Sequence, residues 1–322
     1  MPGNLFKIIR DKIPRRVSSL CFANLKNSPV TRVNRSDEEA LRISQNISTT
    51  VEESLIVESE DGEKLCVFLK GGLGWPWSRK VTPVDEATDA IDELGHEYPP
   101  PPPSPDDIRH TINYPILKAR YSLAHVGLYH LAMWVPKGQG HSKASVADEL
   151  RGAVISKGVI ATAYKFNAVE KFFRRTAPLM QTISLLFEAV DRPQYIRYHR
   201  NYSDFASKSP LRLFQTTHRA CFLGLALLRN LQVEPHKDIS DVKDGYVAMV
   251  CFGDFCGGEF VVPELDLKLD FKPGDVIFLR SAVLEHFVAP FDGQRSSIVY
   301  FTHGNLSDNL SDDLLEKGMR LV

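Results

Sequence analysis

His236-Lys237-Asp238 and, fifty residues after His236, His286 are the side chains whose types and spacing point to chemistry. Two imidazoles and one carboxylate match the facial triad of non-haem Fe(II) sites, which leaves three coordination positions open for a cosubstrate and oxygen. His236 and Asp238 are two residues apart, so an extended backbone projects both to one face. Nine residues after His286 comes Arg295-Ser296-Ser297, an R-x-S pair. A guanidinium can clamp the distal carboxylate of 2-oxoglutarate bidentately, and the serine hydroxyl adds a third hydrogen bond. Between the ligands, GGEFVVPE (257–264) and KPGDVIF (272–278) read as strand–turn–strand units that return the distant histidine toward H-x-D.

Such a site needs a rigid β frame. From about residue 216 the texture is short strands divided by Gly, Pro and Asp turns. The candidates are 221–228, 246–252, 259–262, 267–271, 276–279, 286–289 and 297–302. Strands this short and this closely spaced predict a sandwich or jelly roll. Upstream, 54–69 reads as a hairpin around Asp61-Gly62. Residues 165–190 read as helical, with Pro178 at a helix start and Met180, Ile183, Phe187 and Val190 on one core-facing stripe. The expected fold class is therefore α+β, a jelly-roll core supported by helices. Pro99 to Pro103, with Ser104 and Pro105, forms a stiff polyproline II stretch, read as a spacer across the surface. It divides an N-terminal region, 1–110, expected to pack on the core, from a catalytic region, 111–322, whose roll covers about 216–303.

Over His236 to His303 the chain resembles the 2-oxoglutarate- and Fe(II)-dependent dioxygenases, and more narrowly the TET/JBP-like branch found in fungi. The resemblance lies in HKDISD, GYVAMVCFGDFCGGEFVVPEL, FKPGDVIFLRS and LEHFVAPFDGQRSSIVYFTH. It implies a double-stranded β-helix, iron held by His236, Asp238 and His286, and 2-oxoglutarate held by Arg295 and Ser297. It implies that a base flipped out of duplex DNA stacks on Phe301 and meets His303 at its edge. The family has Asn five residues after its first iron ligand; here that position holds Asp241. A carboxylate only accepts, which suits an exocyclic amino group. Asp241 as acceptor and His303 as donor match cytosine and adenine alike and disfavour thymine. The implied reaction hydroxylates the methyl of 5-methylcytosine, or of N6-methyladenine with loss of formaldehyde. A protein side chain or small metabolite is the alternative substrate, and a silent DNA-binding scaffold is a further one. Prolyl hydroxylases, however, typically place Lys where Arg295 stands.

The chain carries 39 basic and 40 acidic side chains among 322 residues, with 43% hydrophobic and 25% charged. That composition excludes a disordered chain, a coiled coil, a collagen-like repeat and a uniformly basic nucleic-acid coat. Five cysteines without a C-x-x-C pair leave no structural zinc site and read as apolar fillers in a reducing compartment. No secretory signal or membrane span is read, and a nuclear monomer is expected. The neutral total hides regional asymmetry: −9 over 51–110, +8 over 151–235 and −7 over 236–322. The basic stretch, with Lys165, Lys171, Arg174, Arg175, Arg197, Arg200 and Arg212 and the interleaved Tyr195, Tyr198, Tyr202 and Phe205, is the expected duplex-docking face. The group Lys7, Arg10, Lys12, Arg15 and Arg16 reads first as the solvated side of an amphipathic helix.

Overall fold

A computed structural model describes residues 2–29, 37–76, 83–105, 110, 114–121, 125–134, 145–150, 159–208 and 220–307. Thirteen strands are present among these: β1 Arg15–Val17, β2 Thr50–Val51, β3 Leu55–Glu58, β4 Lys64–Leu69, β5 Gly127–Trp134, β6 Ser145–Val146, β7 Gly224–Arg229, β8 Val247–Gly257, β9 Phe260–Val262, β10 Leu267–Leu269, β11 Val276–Leu279, β12 Phe287–Val288 and β13 Phe291–Phe301. They form a nine-stranded sheet in the order β1-β3-β4-β11-β8-β13-β7-β5-β6 and a four-stranded sheet in the order β12-β9-β10-β2. Pairing is antiparallel except for β1 with β3 and β10 with β2.

Side-chain alternation divides the interior into two layers. On β8, Val247, Met249 and Cys251 pack with the small sheet, while Ala248, Val250 and Phe252 pack with the helices. On β11, Ile277 and Leu279 take the first side and Val276 and Phe278 the second. A strand has period two, so a sheet covered on both faces reads as a continuous apolar run, as VAMVCF and VIFL do. The molecule is thus a mixed α+β structure of helices, large sheet and small sheet.

The helical layer comprises Pro83–Glu97, Val159–Arg175, Ala177–Val190 and Arg192–Lys208. Pro178 sits in the first turn of its helix, and Ile183, Phe187 and Val190 are buried. The expected hairpin forms around Asp61-Gly62, and β4 pairs directly with β11. Asp275 of the Pro273-Gly274-Asp275 turn reinforces that junction. Its carboxylate accepts the amides of Gly71 and Lys272, both at 2.8 Å. The N-terminal hairpin is therefore continuous with the large sheet.

Three expectations need correction. Among its described residues, much of the basic stretch is paired rather than open. Lys171 pairs with Glu93 and Glu97, Arg175 with Glu86 and Glu93, Arg174 with Glu170, and Arg197 with Asp244. Lys165 lies over the Tyr98 ring, and Tyr195, Tyr198 and Tyr202 are core residues. The carboxylates come largely from the acidic helix Pro83–Glu97, so much of the regional asymmetry cancels by contact. Arg212 lies outside the described residues. Second, the prolines are not a surface spacer: Pro101 accepts the Leu128 amide at 2.8 Å, and Pro101, Pro102 and Ser104 line the main cavity. Third, Cys256 on β8 is exposed, although Cys66, Cys221 and Cys251 are buried. The N-terminal helix Pro2–Asp11 follows its reading in part, with Leu5 and Ile9 buried and Lys7 and Arg10 exposed, whereas Arg15 and Arg16 lie beyond it on β1, where Arg15 pairs with Glu58 and Arg16 donates to Leu265 O. No helix among the described residues is long and apolar enough to cross a membrane.

Candidate metal centre and its cavity

His236 and Asp238 do not lie on a regular strand. They occupy an extended loop between β7 and β8 that is fastened on both sides. His236 and His286 exchange both backbone hydrogen bonds, at 3.1 and 2.9 Å, and the Asp238 amide donates to Ser281 O at 3.0 Å. On the other side Val242 donates to Thr302 O, and Gly304 donates to Ser240 O. The far histidine is thereby brought beside H-x-D.

The triad side chains converge. His236 Nε2 is 3.5 Å from Asp238 Oδ1, and His286 Nε2 is 3.5 Å from Asp238 Oδ2. Their ligand atoms all lie within 4.8 Å of one another, with both histidines buried. Each imidazole turns its Nδ1 to the carbonyl two residues upstream, Glu234 O at 2.7 Å and Leu284 O at 3.1 Å. Those carbonyls fix Nδ1 as the protonated nitrogen and leave the Nε2 lone pairs facing the carboxylate, the tautomer that a metal ligand requires. Burial pushes the Asp238 carboxyl up, and the two imidazoles, where their Nε2 atoms carry protons in place of a metal ion, outweigh it by hydrogen bonds and charge and hold it well below the usual carboxylate range. The donor set, two neutral imidazoles and one carboxylate with outer hydrogen bonds, fits Fe(II).

β13 supplies the second part of the site. Its alternation explains the R-x-S-x-V-x-F string: Ile298 and Tyr300 face the helices, while Val299 and Phe301 pack toward the small sheet and Arg295, Ser297, Val299 and Phe301 all line the cavity. Asn230, in the left-handed region just after β7, grips the backbone of Arg295 by donating to its carbonyl at 2.8 Å and accepting its amide at 2.6 Å. Arg295 is only 4% exposed. Its Nη1 donates to Ser297 Oγ at 2.6 Å, and Nε and Nη2 have no hydrogen-bond partner among the described residues. No carboxylate among the described residues faces it. The guanidinium is ringed instead by Phe255, Phe271 and Phe291 at 5.2–5.8 Å. Burial pulls its pKa below the ordinary arginine value. A buried cation with open donors is strained until an anion arrives, so this pocket fits a carboxylate. Gly258, at φ +71, lets the backbone pass close by; a Cβ there would sit 3.2 Å from Arg295 Nε.

Both parts open into one cavity of about 670 Å³, a size typical of small-ligand sites. At its rim the structure joins Asp241 and His303 to each other. They form a β-bridge, and His303 Nδ1 donates to Asp241 Oδ1 at 3.1 Å. Phe301 lies beside His303, ring centroids 4.9 Å apart.

Sequence reasoning missed β5 and with it His130, whose ring stacks on Phe301. It also missed the Phe255–Phe271–Phe291 ring, although all three residues lie within the quoted strings. Gly224, inside the apolar run CFLGLALL, was legible as a site of close approach. A Cβ there would lie 2.4–2.9 Å from the Phe301 ring, so only glycine lets that ring lie flat across β7.

No family model and no curated protein matches the chain. Among solved structures it is similar to NgTET1 in complex with 5mC DNA, at 13% identity, covering 99% of this chain and 96% of that one with a TM-score of 0.49. It is also similar to an oxidoreductase of the 2OG-Fe(II) oxygenase family from Burkholderia pseudomallei, at 16% identity, covering 69% of this chain and 90% of that one with a TM-score of 0.29.

Proposed function

We propose that the protein is an Fe(II)- and 2-oxoglutarate-dependent dioxygenase built on a double-stranded β-helix. The observation that carries this reading is the buried, carboxylate-free Arg295 opening into the same cavity as the His236–Asp238–His286 triad. His236, Asp238 and His286 would hold the iron, and Arg295 with Ser297 would hold the far carboxylate of 2-oxoglutarate. When bound, this pair supplies the oxidising chemistry: with O2 it converts a substrate C–H to C–OH as 2-oxoglutarate becomes succinate and CO2.

The substrate we infer is the methyl group of a methylated base in DNA, 5-methylcytosine first and N6-methyladenine second. A methyl inside a duplex cannot reach a buried triad, so the nucleotide must be extruded. The rim offers complementary chemistry. Asp241 accepts from an exocyclic amino group, and His303, with Nδ1 committed to Asp241, donates from Nε2 to a ring nitrogen when protonated. Phe301 and its neighbours supply an aromatic wall. Pro101 and Pro102, which line the cavity, bring no backbone donor to it. With DNA as substrate, we propose a nuclear protein.

The test is nucleoside mass spectrometry after incubating duplexes carrying either methylated base with Fe(II) and 2-oxoglutarate. Hydroxymethylated cytosine, or loss of methyl from adenine, is the expected product. Succinate release that is indifferent to DNA methylation would refute the nucleic-acid substrate.

A further inference from the structure

β5 brings to the cavity an aromatic side chain that neither the triad nor the Arg295 pocket uses. His130 pairs in register with Ala226 of β7, two residues from Gly224 and on the same face, and the Phe301 ring lies over Gly224. The two rings stack with an offset, centroids 5.3 Å apart and planes 11° apart, and His130 also meets His303 edge-on at 6.2 Å. Phe301 is 5% exposed, whereas His130 is exposed and lines the cavity. With Gly224 beneath Phe301 and His130 against it, the aromatic surface open to an incoming planar group belongs chiefly to the imidazole.

Resting on the reading of the site as a base-oxidising centre, we infer that His130 is a substrate-binding residue: it is the platform on which the extruded base stacks. Phe301 is the support that holds the platform flat. Stacking tolerates any base because every base has a π-face, while the Asp241–His303 edge chooses among them. The platform enters from a strand outside the His236–His303 stretch, so it fixes the ring plane independently of the residues that hold metal and cosubstrate.

The experiment is steady-state kinetics of the full chain on a methylated duplex with His130→Ala, His130→Gln and His130→Phe. The Ala and Gln variants should raise KM for the duplex about tenfold or more, the usual scale of one base–aromatic contact, while KM for 2-oxoglutarate stays within about twofold. His130→Phe should return the duplex KM to within about threefold of wild type, because a flat ring is restored. An unchanged or lowered duplex KM in both His130→Gln and His130→Ala would overturn the inference, the lowered value marking the imidazole as a plug. Using Gln alongside Ala keeps the test valid if one variant folds poorly. Wild-type protein that ignores methylated DNA refutes the base-oxidation reading itself; wild-type stimulation with variants indistinguishable from it refutes only the role of His130.

Discussion

His236 and His286 hydrogen-bond each other through both backbone amides, so two side chains fifty residues apart are held as neighbours on a two-residue ladder. Their ring centroids are 4.3 Å apart, and each ring is oriented by the carbonyl two positions before it. The near-symmetry presets two Nε2 donors before any ion arrives. Replacing either histidine by alanine should weaken Fe(II) binding by at least about 100-fold, beyond the range that outer-shell partners alone command. Equilibrium titration with Fe(II) under anaerobic conditions measures it, and near-native affinity in either variant would contradict the assignment.

Arg295 carries a destabilising charge in the absence of an anion. Arg295→Met keeps the volume and removes the charge, so it should stabilise the cosubstrate-free protein by on the order of 1–4 kcal/mol. The same variant should lose the rise in melting temperature that 2-oxoglutarate gives the wild type. Thermal unfolding with and without 2-oxoglutarate reads both effects. A less stable Met variant would mean the guanidinium is already compensated.

Gly224→Ala drives a methyl into the Phe301 ring. Overpacking of this kind should destabilise the fold by about 1–3 kcal/mol. Because the ring rather than the triad moves, Fe(II) binding should persist while base hydroxylation falls. Parallel metal titration and product analysis separate the two effects.

Asp244 joins three parts of the molecule, pairing with Arg197 and Lys26 while its carbonyl accepts from Gln194 and Arg280. Burial pushes its carboxyl up, but Arg197 and Lys26 outweigh it and hold it below the ordinary value. A depressed folded pKa contributes stability that is complete above the unfolded value, about pH 4, and is lost as pH falls through the folded one. Asp244→Asn should therefore be less stable than wild type by about 1 kcal/mol at pH 7, and the difference should shrink as pH falls below about 4. Melting curves across that interval check the sign.

The legible parts of this protein are those encoded at short range. H-x-D and R-x-S show their chemistry within three residues, and the apolar runs of β8 and β11 show their burial. The Asp61-Gly62 hairpin and the Pro178 helix start are local signals of the same kind. What stayed hidden depends on partners distant in sequence. β5 reads GLYHLAMW, and a polar His130 facing a cavity interrupts the apolar pattern that would mark a buried strand. The value of Phe255, Phe271 and Phe291 arises only when three separate segments surround Arg295. Lys171 and Arg175 look like a docking surface until the helix carrying Glu86 and Glu93 is laid against them.

That helix acts as a fixed set of counterions. Condensed cations leave a polyanion when a basic protein binds it, and their release favours the complex. Carboxylates tethered to the fold cannot be released in that way. A nucleic acid approaching Lys171 and Arg175 would have to displace Glu86, Glu93 and Glu97 without that entropic gain. This surface carries its own counterions before any polyanion arrives.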